Sequence, residues 1–479
     1  MFVNRMARYE VLSEDALEHI DRGWRRLVTE LGIEFLHPEA RRLLEAAGQD
    51  VDGTIVRLDP DFVLEQVALA PESFTLHGRN PAQDFVVGGE HMAFCPVQGP
   101  PFVRRGSERR EATLADYDDF CRIAQRLDDF DTAGFLPCEP NDRPLDSRHL
   151  DMQRSLVELT DKPHGGAGIS EVAAQDSIEL ARIVHGADRL EAEACIYTVV
   201  NVNSPLRYDD RMLGALLEYA RARQAVIITP FLLMGAMSPV SIPSALVQQL
   251  AEVLAGVALV QLVRPGAPVV MGSFLSHTDM KTGSPGFGGP ESALGLLASG
   301  QIARRYGLPW RSGGGALTSS PAVDAQAAYE GMNTMYPAFL SGANLVIHTA
   351  GWLESGLVAS FEKAIVDLEI VRMLREQFTP LEVDEASLAF GAHDEVRHGG
   401  HFLGCAHTME RFRTCFYRPL LSTTDNFERW TRNGAHDAAD RAGALVTATL
   451  ESYETPPIDP ALRDEVRAFV DRRRRELGD

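Results

Sequence analysis

Eight short stretches rich in Val, Ile, Thr and Phe recur through the middle of this chain, and each leads into a helical stretch. They fall at residues 92–96, 132–137, 162–168, 194–200, 225–231, 268–274, 309–315 and 345–350. Helical segments are expected to begin near Thr113, Arg148, Glu171, Asp209, Ile242, Glu291, Ala322 and Ala359. Near-continuous apolar runs are what parallel strands buried on both faces look like. Parallel neighbours need a long crossover, usually a helix. Eight such units over about 285 residues match a (β/α)8 TIM barrel. A doubly wound open sheet alternates in the same way, and the count of eight favours the barrel.

The 479 residues exceed one simple core, so flanking lobes are expected. Residues 1–90 read as an N-terminal helical lobe, 91–377 as the barrel, and 378–479 as a C-terminal helical cap. In the first lobe Ser13 caps a helix that carries Leu17, Ile20, Trp24, Leu27 and Leu31 on one stripe. His37-Pro38 opens a second helix, and residues 56–89 suggest a hairpin.

A net charge of −22 argues against a nucleic-acid partner, which needs basic patches. Six cysteines without a C-x-x-C pair, in a chain this long, argue against a disulfide framework. The N-terminal residues lack the apolar core of a signal peptide, which points to the cytoplasm. The longest apolar run, 244–263, carries Gln248, Gln249, Glu252 and Gln261, and suits a buried helix better than a membrane span.

Chemistry in such folds sits where strands end. The strand ends supply Phe94, Gln98, Glu139, Asn141, His164, Asn201, Asn203, Phe231, His277, Asp279, Ser312, Gly313–Gly315, His348, Trp352 and Glu354. Phe94, Phe231, Trp310, Trp352, Phe361 and Tyr336 are the aromatic candidates near the mouth; rings around one cavity hold a quaternary ammonium through their negative faces. Glu354 offers a counter-charge or a helix cap. The Gly313-Gly-Gly315 run allows either a tight turn or close approach of a large ligand. It is no phosphate-binding loop, because no Lys-Ser or Lys-Thr follows. His398, His401, Cys405 and His407 have metal-binding side chains at spacings that match no zinc motif, so no metal site is expected. G-x-S-x-G and G-x-G-x-x-G are both absent.

Several segments resemble the trimethylamine methyltransferase family, in its branch without pyrrolysine that includes glycine betaine methyltransferases. They are Ala112-Thr-Leu-Ala-Asp-Tyr117, His164-Gly-Gly-Ala-Gly168, Asn201-Val-Asn-Ser-Pro-Leu206, Ala251-Glu-Val-Leu-Ala-Gly256, Pro265-Gly-Ala-Pro268, Asp324-Ala-Gln-Ala-Ala-Tyr-Glu330, Gly342-Ala-Asn-Leu345, Leu353-Glu-Ser-Gly-Leu357 and His401-Phe-Leu-Gly404. The resemblance implies a (β/α)8 barrel. It also implies methyl transfer from a methylated amine to the Co(I) corrinoid of a separate corrinoid-binding protein, as part of one-carbon metabolism. Pyrrolysine sits in the cavity of the founding members; here Gly313, Gly314 and Gly315 lie near its place, as corrinoid-facing residues. A betaine-like quaternary amine is therefore the implied substrate. His348 and Glu354 are the implied catalytic residues. Phe94, Gln98, His164, Asn201, Asn203, Phe231, Trp310, Trp352 and Phe361 are the implied substrate contacts. A betaine carboxylate would need a donor, for which His348, Asn201, Asn203 or a backbone N–H are the candidates. A pocket filled by the protein's own side chains, or lined with basic groups, would overturn this reading. The chain is expected to form a homo-oligomer. Two other readings share these residues: a barrel that binds methylated amines without turning them over, and a zinc-dependent corrinoid methyltransferase.

Overall fold

A computed structural model describes residues 1–478 and shows a mixed α/β fold. Its centre is a ladder of seven strands: β1 (His91–Pro96), β2 (His164–Gly165), β3 (Ile196–Val202), β4 (Ala225–Met234), β5 (Val269–Gly272), β6 (Trp310–Ser312) and β7 (Leu345–Ala350). Their spatial order is β2-β3-β4-β5-β6-β7-β1, parallel at every step. All seven therefore end at the same edge.

The segment 132–137, expected as a strand, is irregular. Gly134 sits at φ +74°, which breaks the pleat, and Pro137 removes a donor. Its backbone still bonds on both sides. Asp131 N–H donates to Phe94 O at 3.0 Å, Ala133 N–H to Pro163 O at 3.2 Å, and Gly165 N–H to Gly134 O at 3.0 Å.

Eight helices accompany these segments: α1 (Leu114–Arg126), α2 (Arg148–Leu159), α3 (Glu171–His185), α4 (Asp210–Arg221), α5 (Ile242–Val263), α6 (Pro290–Arg305), α7 (Ala325–Ser341) and α8 (Phe361–Gln377). Local chemistry sets their starts. Thr113, Ser170, Asp209, Asp324 and Ser360 each accept a first-turn N–H. Proline in the first turn opens α5 and α6. Helix α5 is long and apolar enough to cross a membrane, but 83% of its most apolar window is buried inside this fold.

Residue parity sorts the core. Met92, Phe94, Val226, Ile228, Met271, Trp310 and Val346 pack under the helices. Ala93, Cys95, Tyr197, Ile227, Val270, Leu345 and Ile347 form a second cluster on the other face. The hairpin of Ser73–Leu76 and Phe85–Gly88 adds Leu76, Phe85 and Val87 to that second cluster.

The N-terminal residues pack into the same core. Helix Glu14–Arg26 is capped by Ser13 and lies against α5, with the Val247 side chain filling the space beside Gly23. Leu17, Ile20 and Trp24 are buried, but Leu27 is only partly so and Leu31 is exposed. The chain widens into a π turn over Leu27–Leu31, which rotates the expected stripe away from the core. Residues 56–89 hold more than a hairpin: helix Pro60–Val67 intervenes and packs on α5. At the other end, Ala438–Glu451 lies on α8 and α1, and Pro460–Glu476 on α2 and α3.

Trp24 is fully buried, and its indole N–H donates to Tyr306 Oη at 2.7 Å. Trp24→Ala is expected to cost about 3–5 kcal/mol, read as a lower urea midpoint at unchanged slope.

Candidate active site

A cavity of about 240 Å³ opens at the edge where the parallel strands end. Gln98 follows β1, Gly166 and Gly168 follow β2, and Thr198, Val199 and Asn201 end β3. Thr229 and Phe231 come from β4, Phe274 follows β5, Arg311 lies on β6, and His348 and Trp352 come from β7 and its loop. Parallel α/β sheets, open or closed, place their sites at this edge.

His348 reaches the cavity because β7 is bulged. The register slips between Val346 and Ala350, and His348 takes φ +67°. Leu345 and Ile347 belong to the second cluster, so regular alternation would send His348 to the face under the helices. The bulge turns it back, at a cost of about 1–3 kcal/mol for a non-glycine left-handed residue. Thr349 Oγ1 holds the bulge by donating to Val346 O at 2.7 Å and accepting Cys95 N–H at 3.2 Å. Gly315 leaves room for it: a Cβ there would stand 1.9 Å from His348 O. Behind the loop, the buried Lys363–Asp367 pair ties α8 to both flanks. Lys363 donates to Ala316 O at 3.3 Å, and Asp367 accepts Gly351 N–H at 2.9 Å.

Burial, and then the charge of Arg311, push the His348 pKa well below the ordinary imidazole value. Its Nδ1 accepts the Gln98 backbone N–H at 3.2 Å, which leaves the proton of the neutral ring on Nε2. The imidazole meets Trp352 edge-on at 4.7 Å and Phe274 at 5.5 Å between ring centroids. Phe231 completes the wall, 5.0 Å from Phe274, and Phe287 backs it. Four buried polar atoms on cavity residues have no partner: Gln98 Oε1, Thr229 Oγ1, Arg311 Nε and Trp352 Nε1. Buried polar groups are normally satisfied, so this cluster fits a polar ligand or water. No Asp or Glu lines the cavity among the described residues, and none of their His, Cys, Asp and Glu groups is placed to hold a metal ion.

Of the residues singled out in the sequence, Gln98, Asn201, Phe231, Trp352 and His348 border the cavity. The others lie elsewhere. Phe94 faces the helices, against Phe339 and under Arg375. Trp310 has the same parity and donates its indole N–H to Ser273 Oγ at 3.0 Å. Phe361 begins α8 and stacks on Phe120 at 4.2 Å. Tyr336 packs on Phe378. His164 lies at the start of its strand, paired level with Ile196 and away from the cavity edge. The Asn203 side chain accepts the Asp209 N–H at 3.0 Å in the exposed loop after β3. The Glu354 carboxylate pairs with Arg109 at 3.0 Å, outside the cavity. Gly313, Gly314 and Gly315 are buried by protein: a Cβ on them would meet Ser273 O, Leu296 Cδ1 and His348 O. Their missing side chains serve strand packing and do not face the cavity.

Sequence reasoning passed over Phe274, Thr229 and Arg311. Arg311 is 2% exposed and adds one basic group to the wall. Its signal was available: an arginine in the buried triplet Trp310-Arg-Ser312, one step out of phase with Trp310.

A depressed folded-state pKa at His348 contributes stability that is complete above the unfolded value near 6.5 and is lost as pH falls below it. His348→Gln is expected to lose less thermal stability than the parent between pH 7 and pH 5.5. Scanning calorimetry at the two pH values checks this.

Comparison with known proteins places this geometry. The sequence pattern described as Trimethylamine methyltransferase (MTTB) matches residues 1–478. A glycine betaine methyltransferase of Desulfitobacterium hafniense (strain Y51) is 39% identical over 476 residues, covering 99% of each chain. A trimethylamine methyltransferase MttB of Methanosarcina barkeri (strain Fusaro / DSM 804) is 28% identical over 479 residues, covering 96% of this chain and 94% of its own. The crystal structure of the Methanosarcina barkeri monomethylamine methyltransferase MtmB superposes with a TM-score of 0.53 at 11% identity, over 98% of this chain and 89% of that one. That likeness concerns the fold. With a family match along almost its whole length, this chain belongs to the trimethylamine methyltransferase family.

Proposed function

We propose that this enzyme transfers a methyl group from a betaine-like quaternary amine to the Co(I) corrinoid of a separate corrinoid-binding protein. The observation that carries the reading is the cavity wall of Phe231, Phe274 and Trp352 at the strand ends, with no acidic side chain among the described lining residues. Aromatic faces attract a permanently charged ammonium without offering it a base. The similarity to a glycine betaine methyltransferase supports the same substrate type.

The chemistry asks little proton traffic of the protein. When the N–CH3 bond breaks, the electron pair stays on nitrogen, and a neutral tertiary amine leaves without needing a general acid. The corrinoid supplies the metal nucleophile that accepts the methyl group. A cavity of about 240 Å³ takes a small amine and excludes a corrinoid macrocycle, which fits a cofactor presented from outside. The half-buried Leu136, Ile169 and Met212 would face it. Catalysis is then positioning: the walls hold one methyl toward the mouth and keep water away from the nucleophile. Neutral His348 fits this role, since a second cation beside the ammonium would repel it.

The (β/α)8 barrel is part of this proposal. Residues 131–135 bond to both β1 and β2, the two ends of the seven-strand order. Cys95 Sγ on β1 lies 3.6 Å from Tyr197 Oη on β3, a contact that closure explains. We further read residues 1–90 and 378–479 as N-terminal lobe and C-terminal cap, and the protein as a cytoplasmic homo-oligomer. Exposed Leu381, Val383, Phe390, Leu403, Phe416 and Phe427 support self-association, because monomers rarely leave so much apolar surface open.

Purified protein with a reduced corrinoid protein should methylate Co(I) in the presence of glycine betaine, followed by absorbance; no change with any quaternary amine refutes the reading. Trp352→Ala and Phe231→Ala should each weaken quaternary amine binding by about 1–2 kcal/mol in calorimetric titration. Phe94→Ala should not alter the affinity of the folded protein.

A further inference from the structure

Arg311 is a buried cation with little to hold it. Its guanidinium makes one hydrogen bond, from Nη1 to Ser273 O at 3.2 Å, and Nε is buried with no partner. The ionisable groups that bear on its charge are Cys95 and Tyr197, and burial keeps both of them protonated. Burial also lowers the arginine's own pKa to about 10, which leaves it charged at neutral pH. Other buried charged groups here are better held: Lys363 by Asp367, Asp129 by Arg372, Lys162 by three backbone carbonyls and Glu252 by three hydrogen-bond donors. A buried charge without a counter-ion costs several kcal/mol, and an apolar side chain of similar volume would pack as well. The negative charge of a ligand in the cavity would offset it.

The surroundings say what. Arg311 borders the cavity and is level with Gly272 of β5 in the sheet register. On the other side of Gly272 stands Thr229 of β4: a Cβ on Gly272 would come 2.0 Å from Thr229 Oγ1. The missing side chain makes room for the unpartnered Thr229 hydroxyl, and that hydroxyl and the under-used guanidinium belong to residues that both line the cavity. Two donors, one of them cationic, suit a carboxylate. The guanidinium carbon also lies 5.5 Å from the centre of the Phe274 ring, which is in contact with Phe231, Trp352 and His348. The anion site and the aromatic wall thus share one ring, which is a short span.

We propose that Arg311, assisted by the Thr229 hydroxyl, is the receptor for the substrate carboxylate. The substrate class is then a short zwitterion, with a carboxylate joined to a methylated onium centre through one or a few carbons. The carboxylate is seated at Arg311 and the onium methyls lie along the aromatic wall. This rests on the methyl-transfer reading of the same cavity. It also reverses the meaning of a basic group there: Arg311 repels a bare cation and selects a guest that brings its own negative charge.

The test is binding of glycine betaine and of choline, which lacks the carboxylate, by calorimetry on the full chain without corrinoid. The parent should prefer glycine betaine. Arg311→Met should weaken glycine betaine by about 30-fold or more and leave choline unchanged or tighter. Arg311→Lys should keep part of the preference, and Thr229→Val should lose a smaller share. Without ligand, Arg311→Met should melt no lower than the parent, since it removes an uncompensated charge, while the stabilisation by glycine betaine disappears. If Arg311→Met does not fold, Arg311→Lys and Thr229→Val carry the comparison. An unchanged betaine-to-choline ratio in the folded variants overturns the assignment. If the parent binds no quaternary amine, the methyl-transfer reading fails. Arg311-dependent binding of acetate would then still uphold the carboxylate site, and its absence would sink it too.

Discussion

The structure depends on a directional constraint, the parallel hydrogen-bonded ladder that runs from β2 to β1. Once every strand runs the same way, every strand must end at one edge, and the loops there share a small volume. Parallel pairing obliges a crossover between neighbours, and the crossover helices bury one face of the sheet. The side chains of the other face then have only each other and the cavity. Period-two alternation decides which residues go where. Phe94 and Trp310 are spent on helix packing, while Phe231, Thr229 and Arg311 take the opposite parity.

Within that frame the site is made by two local departures from regularity. The bulge at His348 breaks the alternation of β7, and Gly272 leaves the place of its side chain to the Thr229 hydroxyl. The first delivers a neutral imidazole to the cavity. The second admits the Thr229 hydroxyl beside β5. Neither feature is a catalytic group in the usual acid–base sense. Both shape a space lined by aromatic rings, one imidazole and one guanidinium.

Much of the architecture was legible because buried parallel strands advertise themselves as short apolar runs between glycines and prolines. Seven of the eight stretches are strands, and helix starts announced themselves through Thr113 and Asp209, while the helix expected from Ala322 begins after the cap Asp324. The eighth, around Gly134, carries the same residue types, but a glycine at positive φ interrupts its pleat, and composition does not reveal φ. The site was less legible. Choosing aromatics by closeness to a strand end selected Phe94 and Trp310 beside Phe231 and Trp352, because closeness ignores parity. Glu354 looked chemical in sequence, yet its partner Arg109 comes from a distant hairpin. The run Gly313–Gly315 suggested a ligand surface, where the physical demand comes from neighbouring backbone. Arg311 stood two residues before that run, within the stretch 309–315, and only its lack of a counter-ion in three dimensions marks it out.

The contact between Gly315 and the His348 carbonyl links two places that differ in every other respect. One is a turn with no side chain, and the other carries the imidazole. Any side chain at 315 would press on the peptide that fixes the direction of the ring, so a change of a single methyl group, made outside the cavity, would be felt as a rotation within it. Redesign of this enzyme for other guests must therefore treat the two positions as one degree of freedom.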